Sequence, residues 1–117
     1  GVLTVSAEES LKPEVGLHRR WTLHGVSHHL GLDVHDCAQA RKEMYLDAPL
    51  REGMVLTVEP GLYIQPDDEL FAPEYRGIGI RIEDDVVVTA EGCRNLSEDI
   101  PRHPDDIEKW MKQILGR

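Results

Sequence analysis

The chain has 117 residues, of which 40% are hydrophobic and 30% charged, and its formal net charge is −9. That length suits one domain or part of one, and the acidity argues against nucleic acid, whose phosphates need a basic face. No apolar run approaches the roughly 18 residues of a membrane span, and no charged-then-apolar leader is seen, so neither a membrane partner nor a targeting segment is expected.

In TVSAEESLKPEVG, Ser6 with Glu9 three residues on predicts a helix N-cap, and Pro13 limits that helix to a turn or two. RRWTLHGVSHHLGL reads as a strand or extended segment. Gly25, Val26 and Gly31 disfavour helix there, while Trp21, Thr22 and Val26 suit a sheet. DAPLREG reads as a loop. MVLTVEPGLYI predicts a strand from Met54 to Glu59, ended or bent by Pro60–Gly61. A loop rich in Pro and Asp, QPDDELFAPEYRG, leads into a further strand, IGIRIEDDVVVT. At the end, Pro104 fits the first turn of a helix and Asp105 and Asp106 suit its positive pole. Ile107, Trp110, Met111, Ile114 and Leu115 recur at helical spacing, a stripe expected to pack on a core. Helices flanking several antiparallel strands make the fold α+β. Cys37 and Cys93 are far apart and form no CxxC pair, so free thiols in a reducing, cytoplasmic compartment are expected.

The chemistry concentrates in HGVSHHLGLDVHD, where four of the six histidines lie between His24 and Asp36. In an extended backbone His24 and His28 project to one side and His29 to the other; His35 shares a side with Asp33 if LDVH is also a strand. In GIGIRIEDD the residues Ile78, Ile80 and Ile82 share one face and Gly79, Arg81 and Glu83 the other. Thr57 and Glu59 likewise face away from Leu56 and Val58. Glu59 precedes a proline, which biases it to extended backbone and fixes its carboxylate at a strand end. Taken singly, either glutamate reads as a solvated strand residue. Imidazoles and carboxylates together, without thiolates, suit a first-row divalent ion rather than a structural zinc knot. Other chemistries fit less well. His24-x-x-x-His28 has Gly25 where a zinc-peptidase helix needs glutamate, and Ser27 beside His28 lacks the G-x-S-x-G elbow.

LHGVSHHLGLDVHD, GMVLTVEPGLYI and RGIGIRIEDD, in that order and followed by NLS and IPR, resemble aminopeptidase P, the Xaa-Pro aminopeptidases. These are pita-bread-fold metallopeptidases, alongside prolidase and methionine aminopeptidase, and the resemblance runs from about His18 to Arg102. It implies that residues 1–117 form the C-terminal portion of a pita-bread domain, a curved antiparallel sheet with flanking helices, the upstream half being absent. His28, Glu59 and Glu83 would be metal ligands. His24 and His35 would bind substrate and stabilise the tetrahedral intermediate, Arg81 would support the site, and Tyr63 would stand behind the ligands. Glu59 would also be the general base. The implied reaction releases an N-terminal residue that precedes proline, with two divalent ions, commonly manganese, acidifying the attacking water.

The family also uses two aspartates from an earlier strand pair, and GVLTVSAEESLKPEVGLHRRWTL contains none. With three of five ligands, this chain is expected to hold at most one ion, weakly, and to be inactive alone. An exposed sheet edge and apolar face should drive self-association or pairing with the missing half. Prolidase shares the ligands and is the alternative within the class. A non-catalytic pita-bread binding module is the alternative outside it, although every covered ligand position is filled.

Overall fold

The computed structural model describes residues 2–37 and 42–116. They form two compact units, one of Gly1–Val26 with Glu59–Arg81 and one of Ser27–Val58 with Ile82–Arg117.

The first unit opens with α1 (Ala7–Leu11). The Ser6 hydroxyl accepts the Glu9 N–H at 3.1 Å, and the helix stops at Lys12, just before Pro13. The chain then enters a 3-10 turn, Leu17–Arg20, through Gly16 at φ 52. The strand expected across RRWTL is therefore not formed. The N–H groups of Trp21 and Thr22 both bond back to the His18 carbonyl, so the backbone is satisfied locally and offers no ladder.

Two short strands, β2 (Gly61–Tyr63) and β3 (Gly79–Arg81), pair antiparallel with Gly61 opposite Arg81 and Tyr63 opposite Gly79. Their anchor is Asp68, only 1% exposed. It accepts from Arg20 Nε at 2.9 Å and Nη2 at 3.1 Å, from Trp21 Nε1 at 2.6 Å and from the Leu70 N–H at 3.0 Å. The buried Trp21 ring meets Phe71 edge-on at 5.4 Å, and the Trp21 carbonyl accepts the Tyr63 N–H at 2.9 Å. A buried carboxylate would be costly alone; here four donors replace its water.

The second unit is built on a three-stranded antiparallel sheet in the order β1 (Val55–Val58), β4 (Asp84–Thr89), β5 (Gly92–Asn95). Val58 pairs with Asp84 and Val55 with Val87. On the free edge of β1, the Thr57 N–H bonds to the His28 carbonyl, the Leu30 N–H bonds to the Val55 carbonyl, and His29 bridges Leu56. In this unit the histidine segment thus pairs through these few residues rather than as a full strand. The break at Pro60 falls where the sequence puts it, because proline has no N–H for a ladder. IGIRIEDDVVVT is also divided, Ile82 and Glu83 lying between β3 and β4.

A short helix, α2 (Lys42–Tyr45), precedes β1, and α3 (Pro104–Leu115) closes the unit. The start of α3 is as expected, with Pro104 in the first turn and Asp105 and Asp106 at the positive pole, and the structure adds a left-handed Gly116 at the C-cap. Its apolar stripe is not core, however. Trp110 is 45% and Ile114 60% exposed, and among the described residues no other helix or strand packs on α3. Among the described residues no helix is long and apolar enough to cross a membrane, and Cys37 and Cys93 are exposed free thiols.

Hydrogen bonding from Arg20, opposed by burial and reinforced by Trp21 and Leu70, holds the Asp68 carboxyl well below the usual carboxylate range. A depressed folded-state pKa means stability that is present above the unfolded value of about 3.9 and lost as pH falls towards the folded one. The urea midpoint of the wild type is therefore expected to fall between pH 5 and pH 3. Asp68→Asn should start lower at pH 7 and lose less of its remaining stability over that interval; equal acid sensitivity in the two proteins contradicts this.

Candidate functional site

In the first unit, β2 carries Tyr63 to His24. The phenol oxygen lies 2.7 Å from His24 Nε2, with the rings edge-on at 5.4 Å. His24 Nδ1 lies 2.6 Å from the Gly25 carbonyl oxygen. A carbonyl can only accept, so Nδ1 bears a proton, and in the neutral ring Nε2 accepts from the tyrosine hydroxyl. Glu59, 8% exposed, begins this unit's second segment and donates its N–H to the Val26 carbonyl at 2.8 Å. Its Oε2 lies 4.0 Å from His24 Nδ1 and 3.8 Å from Arg81 Nε. The unit thus brings together four residues singled out from sequence: His24, Glu59, Tyr63 and Arg81.

Two glycines make room for the Tyr63 ring. A Cβ on Gly61 would lie 2.6 Å from the ring's far edge, and one on Gly79, the cross-strand partner of Tyr63, 2.9 Å from its near edge. Side-chain atoms do not approach that closely, so glycine at both positions lets the phenol lie flat enough to reach His24.

In the second unit, His28 is fastened by both backbone groups to Thr57, which is 1% exposed. Its N–H donates to Thr57 Oγ1 at 3.0 Å and its carbonyl accepts the Thr57 N–H at 2.9 Å. His28 Nδ1 lies 3.1 Å from the His29 carbonyl oxygen and therefore bears the ring proton, leaving the lone pair on Nε2. The His35 ring packs on His28 with centroids 4.3 Å apart. His35 does not arrive on a strand, because residues 31–35 are bends. The loop folds back through Gly31 N–H to the Asp33 carbonyl and Asp36 N–H to the His29 carbonyl. Gly31 is needed there, since a Cβ would fall 1.9 Å from an Asp36 carboxylate oxygen.

Glu83 is exposed, and its neighbour Asp84 is gripped by Arg102 through Nε and Nη2. Arg102 also donates to the carbonyls of Ser97 and Glu98 and holds the Asp84 carboxyl below its ordinary range. That clamp escapes motif reading, as does the Arg20–Asp68–Trp21 knot. The only hint of the clamp is the arginine of IPR, and nothing local marks the knot. By donor chemistry, the imidazole of His28 and the carboxylates of Glu59 and Glu83 each offer one atom of the kind that first-row divalent ions take.

A family model described as metallopeptidase family M24 matches residues 3–90. Xaa-Pro aminopeptidase 1 of Streptomyces coelicolor is 63% identical over 103 residues, which are 88% of this chain and 21% of that protein. The Xaa-Pro aminopeptidase of Escherichia coli is 47% identical over 114 residues, 95% of this chain and 24% of that protein. The solved E. coli aminopeptidase P with the inhibitor Pro-Leu superposes over 100% of this chain and 26% of its own, with TM-score 0.82 and 44% identity. The zinc-substituted enzyme in complex with product matches at TM-score 0.82 and 45% identity. The chain spans about a fifth of the length of the first curated relatives. The α+β architecture with antiparallel sheets is thereby that of the pita-bread fold of aminopeptidase P.

Gly61→Ala is expected to push the phenol off His24 and to cost about 1–3 kcal/mol of overpacking. In a Tyr63→Ala background the same substitution should cost almost nothing. Unfolding free energies of the four proteins in this cycle check it, and an undiminished cost in the second background contradicts the packing role.

Proposed function

Because the chain belongs to metallopeptidase family M24, we propose that residues 1–117 are the C-terminal portion of the catalytic domain of an Xaa-Pro aminopeptidase. Its substrates would be peptides with proline at the second position. In this reading His28, Glu59 and Glu83 are metal ligands, Glu59 is also the general base, and His24, His35 and Arg81 complete the catalytic group with Tyr63 behind them.

One observation carries the reading: the likeness to the solved E. coli aminopeptidase P extends over the whole of this chain, with His28, Glu59 and Glu83 each supplying a donor that suits a divalent ion. Within the second unit, β1 pairs with β4 on one edge, Val58 opposite Asp84. His28 is the partner of Thr57 on the other edge of β1. Directly opposed residues share a face, as do residues two apart on a strand. By that rule His28 and Thr57 share a face of the second unit.

The ions of the family, manganese in this reading, supply Lewis acidity and lower the pKa of water. The chain's own residues do the rest. Glu59 takes a proton from the attacking water and delivers it to the departing proline nitrogen. Arg81 and His24 both face Glu59 Oε2 and so fix which way the carboxylate points. The Tyr63 hydroxyl holds the His24 ring, and His24 and His35 meet the substrate.

The family's two aspartate ligands lie elsewhere in the longer polypeptide, so these 117 residues alone hold at most one ion, weakly. They cleave little and associate with a copy or with the rest of the domain, in a cytoplasmic setting.

Manganese titrated into the 117-residue polypeptide after dialysis should show one weak site, absent in Glu59→Ala and Glu83→Ala. Cleavage of an X-Pro peptide by the same polypeptide at ordinary enzymatic rates contradicts the division of ligands. In the full-length protein, Glu59→Gln should lower kcat by about 10²–10⁴-fold, and a kcat within a few-fold of wild type removes Glu59 from the role of base.

A further inference from the structure

We propose that Tyr45 is a positioning residue for the His28 imidazole, acting through the backbone of His29; this rests on His28 being a metal ligand. Tyr45 is the last residue of α2 and lies outside every motif block that carries the family resemblance. Its hydroxyl accepts the His29 N–H at 3.2 Å, and its ring meets the His29 ring edge-on with centroids 5.0 Å apart. The His29 carbonyl accepts twice, from the Asp36 N–H at 3.0 Å and from His28 Nδ1 at 3.1 Å.

These bonds act on the two peptide planes that flank the His29 Cα. The N–H of one plane is held by Tyr45, and the C=O of the other by Asp36. With both planes fixed, the carbonyl keeps a set direction, and the His28 ring must follow it to keep its Nδ1–H bonded. The proton then stays on Nδ1 and the lone pair on Nε2, the arrangement a ligand histidine needs. Groups that hold the far nitrogen of a ligating histidine typically matter about 10–100-fold in metal affinity. Tyr45 stands one peptide further out, so the lower end of that range applies.

The hydroxyl and the ring of Tyr45 can be separated. Tyr45→Phe keeps the ring against His29 and removes only the acceptor; Tyr45→Leu removes both. In the full-length protein, Tyr45→Phe is expected to weaken binding of manganese alone about tenfold, by calorimetric titration. It should also speed hydrogen exchange at the His29 amide and leave the thermal midpoint close to wild type. Tyr45→Leu should lower the midpoint further without weakening manganese binding beyond Tyr45→Phe. His28→Ala separates the two layers of the argument. If it leaves manganese binding intact, the ligand assignment fails and the role of Tyr45 with it. If it abolishes binding while Tyr45→Phe leaves affinity unchanged, or if affinity follows loss of the ring rather than the hydroxyl, the positioning role alone is overturned.

Discussion

Thr57 bonds to His28 with both its backbone and its side chain, and the candidate chemistry of the second unit depends on that fastening. It sits mid-strand in β1, buried, with Asp85 opposite on one edge and His28 on the other. The neighbouring segment around Gly25 and Gly31 is too rich in glycine to hold a strand by its own propensity. Thr57 compensates by satisfying both backbone groups of His28, one with its N–H and one with its hydroxyl. A valine there has nearly the same shape but no acceptor, and an unpaired buried N–H costs about 1–3 kcal/mol. Sequence reading counts Thr57 as one more alternating residue; its value lies in that hydroxyl.

The same preference for polar fastening runs through the first unit. Among the described residues the most buried positions include Ser10, Thr57, Glu59 and Asp68 as well as Trp21 and Ile64. Asp68 organises its unit because four donors converge on it from residues 20, 21 and 70, and one of those donors belongs to the indole whose own carbonyl registers Tyr63. Order therefore passes from a carboxylate to an indole, to a strand, and to the phenol that holds His24. Hydrogen bonds of this kind are directional in a way that apolar burial is not, which suits a segment whose task is to orient rings.

What could be read in advance follows from the range of the forces involved. The Ser6 cap, the proline stops at Pro13 and Pro60 and the start of α3 depend on residues within a few positions, and sequence locates them. Local pairing also separates Thr57 and Glu59 from Leu56 and Val58. The 3-10 turn before Trp21 was not legible, because Trp21 is fixed by an aspartate 47 positions away. His35 reaches His28 by a loop that folds on itself, so alternation could not find it. The α3 stripe shows the opposite failure: its helical period was plain, but a period says only that a face is apolar, not that a neighbour is present to cover it.

His24 and His28 share one local device. Each presents Nδ1 to the backbone carbonyl of the residue that follows it, Gly25 in one case and His29 in the other. The bond forces the ring proton to the inner nitrogen and turns Nε2 outward as a base. What differs is the partner that Nε2 meets. At His24 it meets the Tyr63 hydroxyl at 2.7 Å, which holds the ring in place. At His28 the imidazole is one of the three donors of the proposed ligand set. The motif HGVSHH thus uses one backbone arrangement twice, and the Tyr63 hydroxyl is what distinguishes the surroundings of the two rings.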